Sequence, residues 1–280
     1  MTDIADSRVT TVIITLDGGD TLTRTVRWHQ TPVILIDNGS ADGAAETAAR
    51  ENPHVELIRL ASNVGAPARN LGVRLARTPY VAFADDDSWW APGALDRAVA
   101  ILDEHPDIAV VAARVLVGDD GRTDPLCAEM AESPLPERPD VPGRAIVGFT
   151  CFSVVVRRDA FLDAGGFDDV IFFNGEEERL ALDLLAAGWD LVYAPDVVAR
   201  HDPPQDRDRA DRWRLGLRNQ VLTATMRRSW PMVARNVWQA AREPQGRRAL
   251  LTVVPRLPAA LRGRRPVPPR VERRMAAVGK

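Results

Sequence analysis

Three consecutive carboxylates, Asp85-Asp86-Asp87, follow the apolar run Tyr80-Val-Ala-Phe-Ala. At a strand end the backbone curves so that alternate side chains point into a crevice, where unpaired carboxylates repel one another unless a hard cation lies between them. Magnesium or manganese typically takes one or two protein carboxylates together with the phosphate oxygens of a substrate. A solvated acidic turn is the competing reading of the triplet. A second acidic run, Glu176-Glu177-Glu178, opens a helical pattern in which successive residues are turned by about 100°. With Leu180, Ala181, Leu184 and Leu185 as the apolar stripe, Glu177 is expected near its centre, Glu176 at its margin and Glu178 on the other side. A carboxylate desolvated between like charges has a raised pKa, as a general base requires. The alternative is that all three complement the positive end of the helix dipole. His201 has two readings: a ligand for a metal or phosphate, or a capping residue at a cleft edge.

Short β-branched runs must place these groups. Val9–Leu16, Val33–Ile36, Val55–Leu60 and Tyr80–Ala84 read as buried strands of a parallel sheet. Between and after them, Thr21–Trp28, Ala44–Glu51, Pro67–Ala76 and Pro92–Glu104 read as helices. Right-handed crossovers then gather the strands' carboxyl ends along one edge, so that Asp37 and Asp85 converge in one cleft. Gly118–Gly143, rich in proline and charge, reads as a mobile excursion over that cleft. Thr150–Val156 and Leu191–Tyr193 are strand candidates, Asp159–Ala164 and Glu176–Ala187 helices. Arg212–Arg228 and Met232–Arg242 carry helical patterns and are followed by a proline- and arginine-rich end.

At 280 residues and 45% hydrophobic content the chain can bury a sizeable core. No run approaches the roughly 18 apolar residues of a membrane span, and the first residues lack the order of a secretory signal, so a cytoplasmic location is expected. Cys127 and Cys151 fit neither a disulfide framework nor a paired metal motif and are expected as reduced thiols. The net charge of -3 conceals an asymmetry, because from Gln205 onward there are 19 Arg or Lys against 5 Asp or Glu. Such a segment meets something anionic: a lipid surface at the inner face of the plasma membrane, or the acidic body of its own protein. Nucleic acid is not expected as a partner, since no base-reading motif accompanies the charge.

Taken in order, VTTVIITLD, ILIDNGSADG, NVGAPARNLGVRLA, FADDDSWW, CFSVVVRRDAFLDAGGFDD and FFNGEEERLALDLLAAGWDLVYAPDVVARH resemble the landmarks of the family 2 glycosyltransferases. The resemblance covers most of Val9 to His201. It implies the GT-A fold, an α/β architecture in which one Rossmann-like nucleotide-binding sheet continues into an acceptor-binding subdomain, here with C-terminal helices added. The implied layout is a donor half at 1–117, an acceptor and catalytic half at 118–204, and a basic helical extension at 205–280.

The resemblance further implies transfer of a sugar from a nucleoside diphosphate sugar to a hydroxyl acceptor, such as a lipid-linked or cell-envelope glycan, with inversion and with Mn2+ or Mg2+ as cofactor. Asp37 would contact the nucleotide base, Asp85 the nucleoside, and Asp87 the metal bridging the diphosphate, with His201 as its partner ligand. Thr15, Asn38, Ser40, Asn63, Gly65, Arg69 and Asp86 complete the implied donor set, Arg69 facing the phosphates. The base falls on Glu177, where the family has an aspartate; the carboxylate is kept and its reach lengthened. Glu176 and Gly166 fall on the acceptor side. Trp89 and Trp90 are either a sugar platform there or core packing. Two other function classes stand beside this one: a sugar nucleotidyltransferase, which the LDGGDTLTR segment fits poorly, and a catalytically inactive sugar-nucleotide-binding protein.

Overall fold

The computed structural model describes residues 7–203 and 209–280; the expected boundary at 204/205 and the first six residues lie outside the described residues. The strands are β1 (Val9–Thr15), β2 (Val33–Asp37), β3 (Val55–Arg59), β4 (Tyr80–Asp85), β5 (Ser88–Trp90), β6 (Ile108–Val117), β7 (Arg122–Thr123), β8 (Arg144–Ala145), β9 (Val154–Arg157) and β10 (Asp190–His201). They form one sheet in the order β3-β2-β1-β4-β9-β6-β10-β5, with β7 on β6 and β8 on β10. The first four strands pair in parallel, and β1 and β2, rich in β-branched residues, are buried throughout, whereas β3, expected as a buried strand, lies at the sheet edge with only Val55 buried. The rest of the sheet is mixed, because β9 runs antiparallel to both β4 and β6. Through these two pairings β9 joins the parallel strands β1–β4 to β6 and β10.

Register places the chemistry. Ile14 stands opposite Asp85 and Thr15 opposite Asp37, so the carboxyl ends of β1, β2 and β4 meet at one edge. On the far side of the sheet, β5 folds back antiparallel on β10 and sets Ser88 opposite His201. Helices cover the faces. Ala94–Glu104 buries Leu95, Ala98, Ile101 and Leu102, an apolar stripe at helical spacing. Helix Ala68–Leu75 buries Ala68 and Val73 and, unusually, Arg69.

Gly118–Gly143 has regular structure that its proline- and charge-rich composition does not suggest. It contains β7 and the helix Pro125–Ala131, whose Cys127 and Met130 are buried, and Leu135 and Val141 are buried further on. The apolar side chains spaced among the prolines pin the segment to the sheet. The C-terminal end is also more regular than its composition suggests, with helices at Pro244–Val253, Leu257–Arg262 and Pro269–Ala277 after Arg209–Arg227 and Trp230–Arg242. Many arginines of this extension pack on the body: Arg227 pairs with Asp183, and Arg274 meets Asp190 at 2.7 Å. Arg228 pairs with Glu272 at 2.9 Å within the extension. Among the described residues no helix is long and apolar enough to cross a membrane.

Candidate active site

The acidic triplet is a tight turn between β4 and β5, closed by the Asp85 N–H donating to Ser88 Oγ at 2.8 Å. Its three carboxylates go to different places. Asp86 accepts from Thr15 Oγ1 at 2.9 Å, and its carbonyl accepts from Thr25 Oγ1 at 2.6 Å, tying the turn to the end of β1. Asp85 pairs with Arg69. Asp87, 1% exposed, faces His201 Nε2 at 3.4 Å.

Beside the turn lies a cleft of about 230 Å³, lined in part by Thr15, Asn38, Asn63, Gly65, Asp85 and Asp86. Six of the expected donor residues therefore surround one cavity at the carboxyl edge. The sequence reading missed Phe172, Phe173 and Arg212, which close its other side. Phe172 and Asn174 have φ of 69° and 67°, values that non-glycine residues adopt at a cost of about 1–3 kcal/mol. Asn219 Nδ2 donates to the carbonyls of both Phe173 and Asn174 at 2.7 Å and holds that turn. Gly65 also belongs to this closure. At φ 71° it approaches the Phe172 carbonyl so closely that a Cβ would collide, while the next N–H, of Ala66, donates to that carbonyl at 2.7 Å.

Asp37, Ser40 and Arg69 stand behind the cleft rather than in it. Asp37 has no exposed side-chain surface; it accepts from the Ser40 N–H at 2.8 Å and pairs with Arg59 at 3.0 Å. Ser40 Oγ accepts from the Asp17 N–H. Arg69 is 1% exposed and does not line the cleft: its guanidinium lies between Asp85 and Glu176, 3.8 Å from Glu176 Oε1. A buried arginine requires such partners, because its charge cannot be shed.

The expected phase of the acidic helix is corrected. Glu176, not Glu177, is the fully buried member, at 3% exposure, whereas Glu177 and Glu178 are half-buried. Arg69, arriving from a distant helix, supplies the charge that draws Glu176 inward. Burial raises the Glu176 carboxyl above its ordinary range. Burial, followed by the charge of Glu176, pushes Glu177 up to about 8. Cys151, read from the sequence only as a reduced thiol, lies with both: its sulfur and one oxygen of each carboxylate are within 4.8 Å of one another. Burial raises its thiol well above the usual range.

Two groups could therefore hold a cation. Cys151, Glu176 and Glu177 are disfavoured because the Arg69 guanidinium already serves Glu176 and repels a metal. Asp87 and His201 fit better: the His201 ring is buried against Phe152, centroids 4.4 Å apart, yet neither ring nitrogen makes a hydrogen bond among the described residues. A carboxylate and an imidazole suit manganese or magnesium with phosphate oxygens.

On the acceptor side, Trp90 is 5% exposed and packs with Ala94, Leu95 and Val197, so it has no face to offer a sugar. Trp89 is half-buried against Trp28, ring centroids 4.3 Å apart. Gly166, at φ 63°, lets the Asn70 side chain approach where a Cβ would collide with it, and Asn70 then bonds both the N–H and the carbonyl of Phe167. Its role is to brace helix Ala68–Leu75 against the acceptor half.

A family model described as Glycosyl transferase family 2 matches residues 10–164. The pre-mycofactocin glycosyltransferase of Mycobacterium tuberculosis is 30% identical over 61% of this chain and 37% of its own length. The N-acetylglucosaminyl-diphospho-decaprenol L-rhamnosyltransferase of the same organism is 28% identical over 60% of this chain and 66% of its own. The matched stretch thus spans from about a third to just under two thirds of these relatives. A mannosyltransferase from Pyrobaculum calidifontis, solved in complex with GDP-Man and Mn2+, superposes with a TM-score of 0.60 over 97% of this chain and 75% of that one, at 19% identity. Its likeness extends to the GT-A fold.

Proposed function

Because the chain belongs to glycosyltransferase family 2, we propose that it transfers a sugar from a nucleoside diphosphate sugar to an acceptor hydroxyl, with inversion and with Mn2+ or Mg2+ as cofactor. The observation that carries this reading is the Asp87–His201 pair, 3.4 Å apart beside a cleft edged by Thr15, Asn38, Asn63 and Asp85. A cation held by Asp87 and His201 would neutralise charge growing on the leaving diphosphate. Asn63 offers its amide nitrogen to the nucleoside, Asn38 holds the cleft wall by bonding Gly65 and Val64, and Asp86, fixed by Thr15, shapes the cleft floor. Asp37 orders the same wall through the Ser40 turn.

Glu177 takes the proton of the attacking hydroxyl on a carboxylate oxygen. Its pKa near 8 makes it a stronger base than an ordinary glutamate while leaving a share ionised at neutral pH. The C–O bond to the leaving phosphate breaks as the acceptor oxygen attacks the opposite face of the anomeric carbon, which inverts it. Glu176 and Arg69 hold the base helix against the donor half.

The acceptor in this reading is a lipid-linked sugar, the acceptor chemistry named for the rhamnosyltransferase relative. Exposed Trp230, Trp238, Leu251 and Val254, set among arginines of the C-terminal helices, suit the anionic inner face of a plasma membrane. The reaction is placed there, on the cytoplasmic side. The deciding experiment offers UDP-, GDP- and dTDP-sugars with Mn2+, Mg2+ or chelator and follows binding and turnover. Metal-dependent binding with turnover is expected; binding without turnover would leave an inactive sugar-nucleotide-binding protein, and no nucleotide binding would sink the reading.

A further inference from the structure

An open groove of about 560 Å³ adjoins the donor cleft, with Asn174, Glu178, Arg212, Trp213 and Gln220 on its walls. Three observations assign it. First, it is continuous with the reacting centre. Arg212 lines both the cleft and the groove, Asn174 follows the Phe172–Phe173 wall of the cleft, and Glu178 follows Glu177 on the same helical turn.

Second, its chemistry is that of a carbohydrate site. Trp213 is 55% exposed, although the helix that bears it buries Val221, Leu222 and Met226 lower down. An indole face held in water beside a carboxamide and a carboxylate matches a pyranose, which has one carbon-rich face and a rim of hydroxyls. A lipid chain would call for an unbroken apolar lining, and Glu178, Asn174 and Gln220 interrupt it.

Third, the groove wall is rigidly built at a conformational cost. Phe172 and Asn174 are in left-handed backbone, and helix Arg209–Arg227 holds their turn through Asn219 and through Asn174 Nδ2, which donates to the Arg212 carbonyl at 2.8 Å. Strain kept in place by several bonds is a feature of functional sites.

We propose that this groove binds the sugar of the acceptor, with Trp213 as the stacking platform and Glu178 and Gln220 as hydroxyl partners. The proposal rests on the glycosyltransferase reading above and moves the platform from Trp89 and Trp90 to the C-terminal extension. It presents the acceptor from the side of the turn that carries Glu177.

The test uses the full chain, a panel of octyl glycosides of glucose, galactose, mannose and N-acetylglucosamine, and saturation-transfer NMR alongside calorimetric binding of UDP, GDP and dTDP with Mn2+. Wild type is expected to bind at least one glycoside, Trp213→Ala to weaken it about tenfold, and Trp213→Phe to restore most of the affinity. Nucleotide affinity should remain within twofold of wild type. Should Trp213→Ala also lose nucleotide binding, Gln220→Ala decides: weaker glycoside binding with intact nucleotide binding upholds the groove, and unchanged glycoside binding overturns it. A wild type that binds nucleotide but no glycoside, or a Trp213→Ala variant that binds both unchanged, overturns the proposal and leaves the donor reading intact. Loss of nucleotide binding by wild type itself strikes the donor reading.

Discussion

The Asp87 carboxylate faces His201 Nε2 at 3.4 Å because β5 doubles back on the end of β10 and pairs Ser88 with His201. His201 is fixed by sheet register, and Asp87, in the tight turn directly before β5, is held by the Asp202 N–H, which donates to its carbonyl at 2.8 Å. A carboxylate and an imidazole held this way would need little reorganisation to bind a cation.

Asp87→Asn and His201→Ala should each weaken nucleotide diphosphate binding in Mn2+ by roughly 10–100-fold, while binding measured in chelator changes little. Calorimetry with and without the metal makes the comparison. Equal losses in both conditions would place the two residues outside the metal site.

Glu177→Gln should retain donor affinity and lose turnover by roughly 100-fold or more. In wild type the rate should rise with pH, reach half its plateau near 8, where half of the carboxyl is ionised, and level off above that. Single-turnover rates across pH 5.5–9 with the panel of donors provide the check, because a flat profile would remove Glu177 as base.

The same substitution should stabilise the fold at alkaline pH. Glu177 has a folded pKa near 8, above its unfolded value, so between the two the folded state holds more protons and loses stability as pH rises. Glutamine removes that penalty: the gain should be roughly 4 kcal/mol at pH 8 and near zero at pH 4.5. Chemical denaturation at both pH values distinguishes this from a pH-independent packing effect.

Arg69→Gln leaves Asp85 and the buried Glu176 without their shared cation. A loss of roughly 3 kcal/mol is expected, with little rescue by Arg69→Lys, because one ammonium cannot serve two carboxylates as a planar fork does. Urea midpoints for the three proteins are the measurement, and a neutral Arg69→Lys would contradict the bridging role.

Trp238→Ser combined with Leu251→Ser should lower partitioning onto phosphatidylglycerol vesicles by about tenfold and leave Tm unchanged, since both side chains are exposed. Sedimentation against phosphatidylcholine vesicles gives the baseline. Equal binding of wild type to both lipids would remove the anionic surface as partner.

The donor half was legible because its strands are local: β-branched runs such as Val9–Thr15 and Val33–Asp37 announce themselves, and their parallel order brings the loops together. Ile108–Val117 has the same make-up, so the missed central strand lay within reach of sequence. The phase of the acidic helix did not. Arg179, Leu180, Ala181, Leu182, Leu184 and Leu185 are all buried, so the apolar stripe has no unique centre, and the burial of Glu176 depends on Arg69 in another element. Phe172, Phe173 and Arg212 join the cleft through the left-handed turn and the bonds of Asn219, neither of which has a pattern in the sequence. The arginine-rich end conveyed its charge but not its pairings, which depend on where Asp183 and Asp190 lie in the folded body.

Asn219 lies far beyond residue 164, where the family match ends, yet its amide fixes the wall of the cleft proposed to hold the nucleotide. The catalytic portion is therefore not portable without the helix that bears this residue. A chimera that exchanges the C-terminal extension to redirect the protein to another acceptor must carry over an asparagine at that position, or the exchange will alter donor affinity as well.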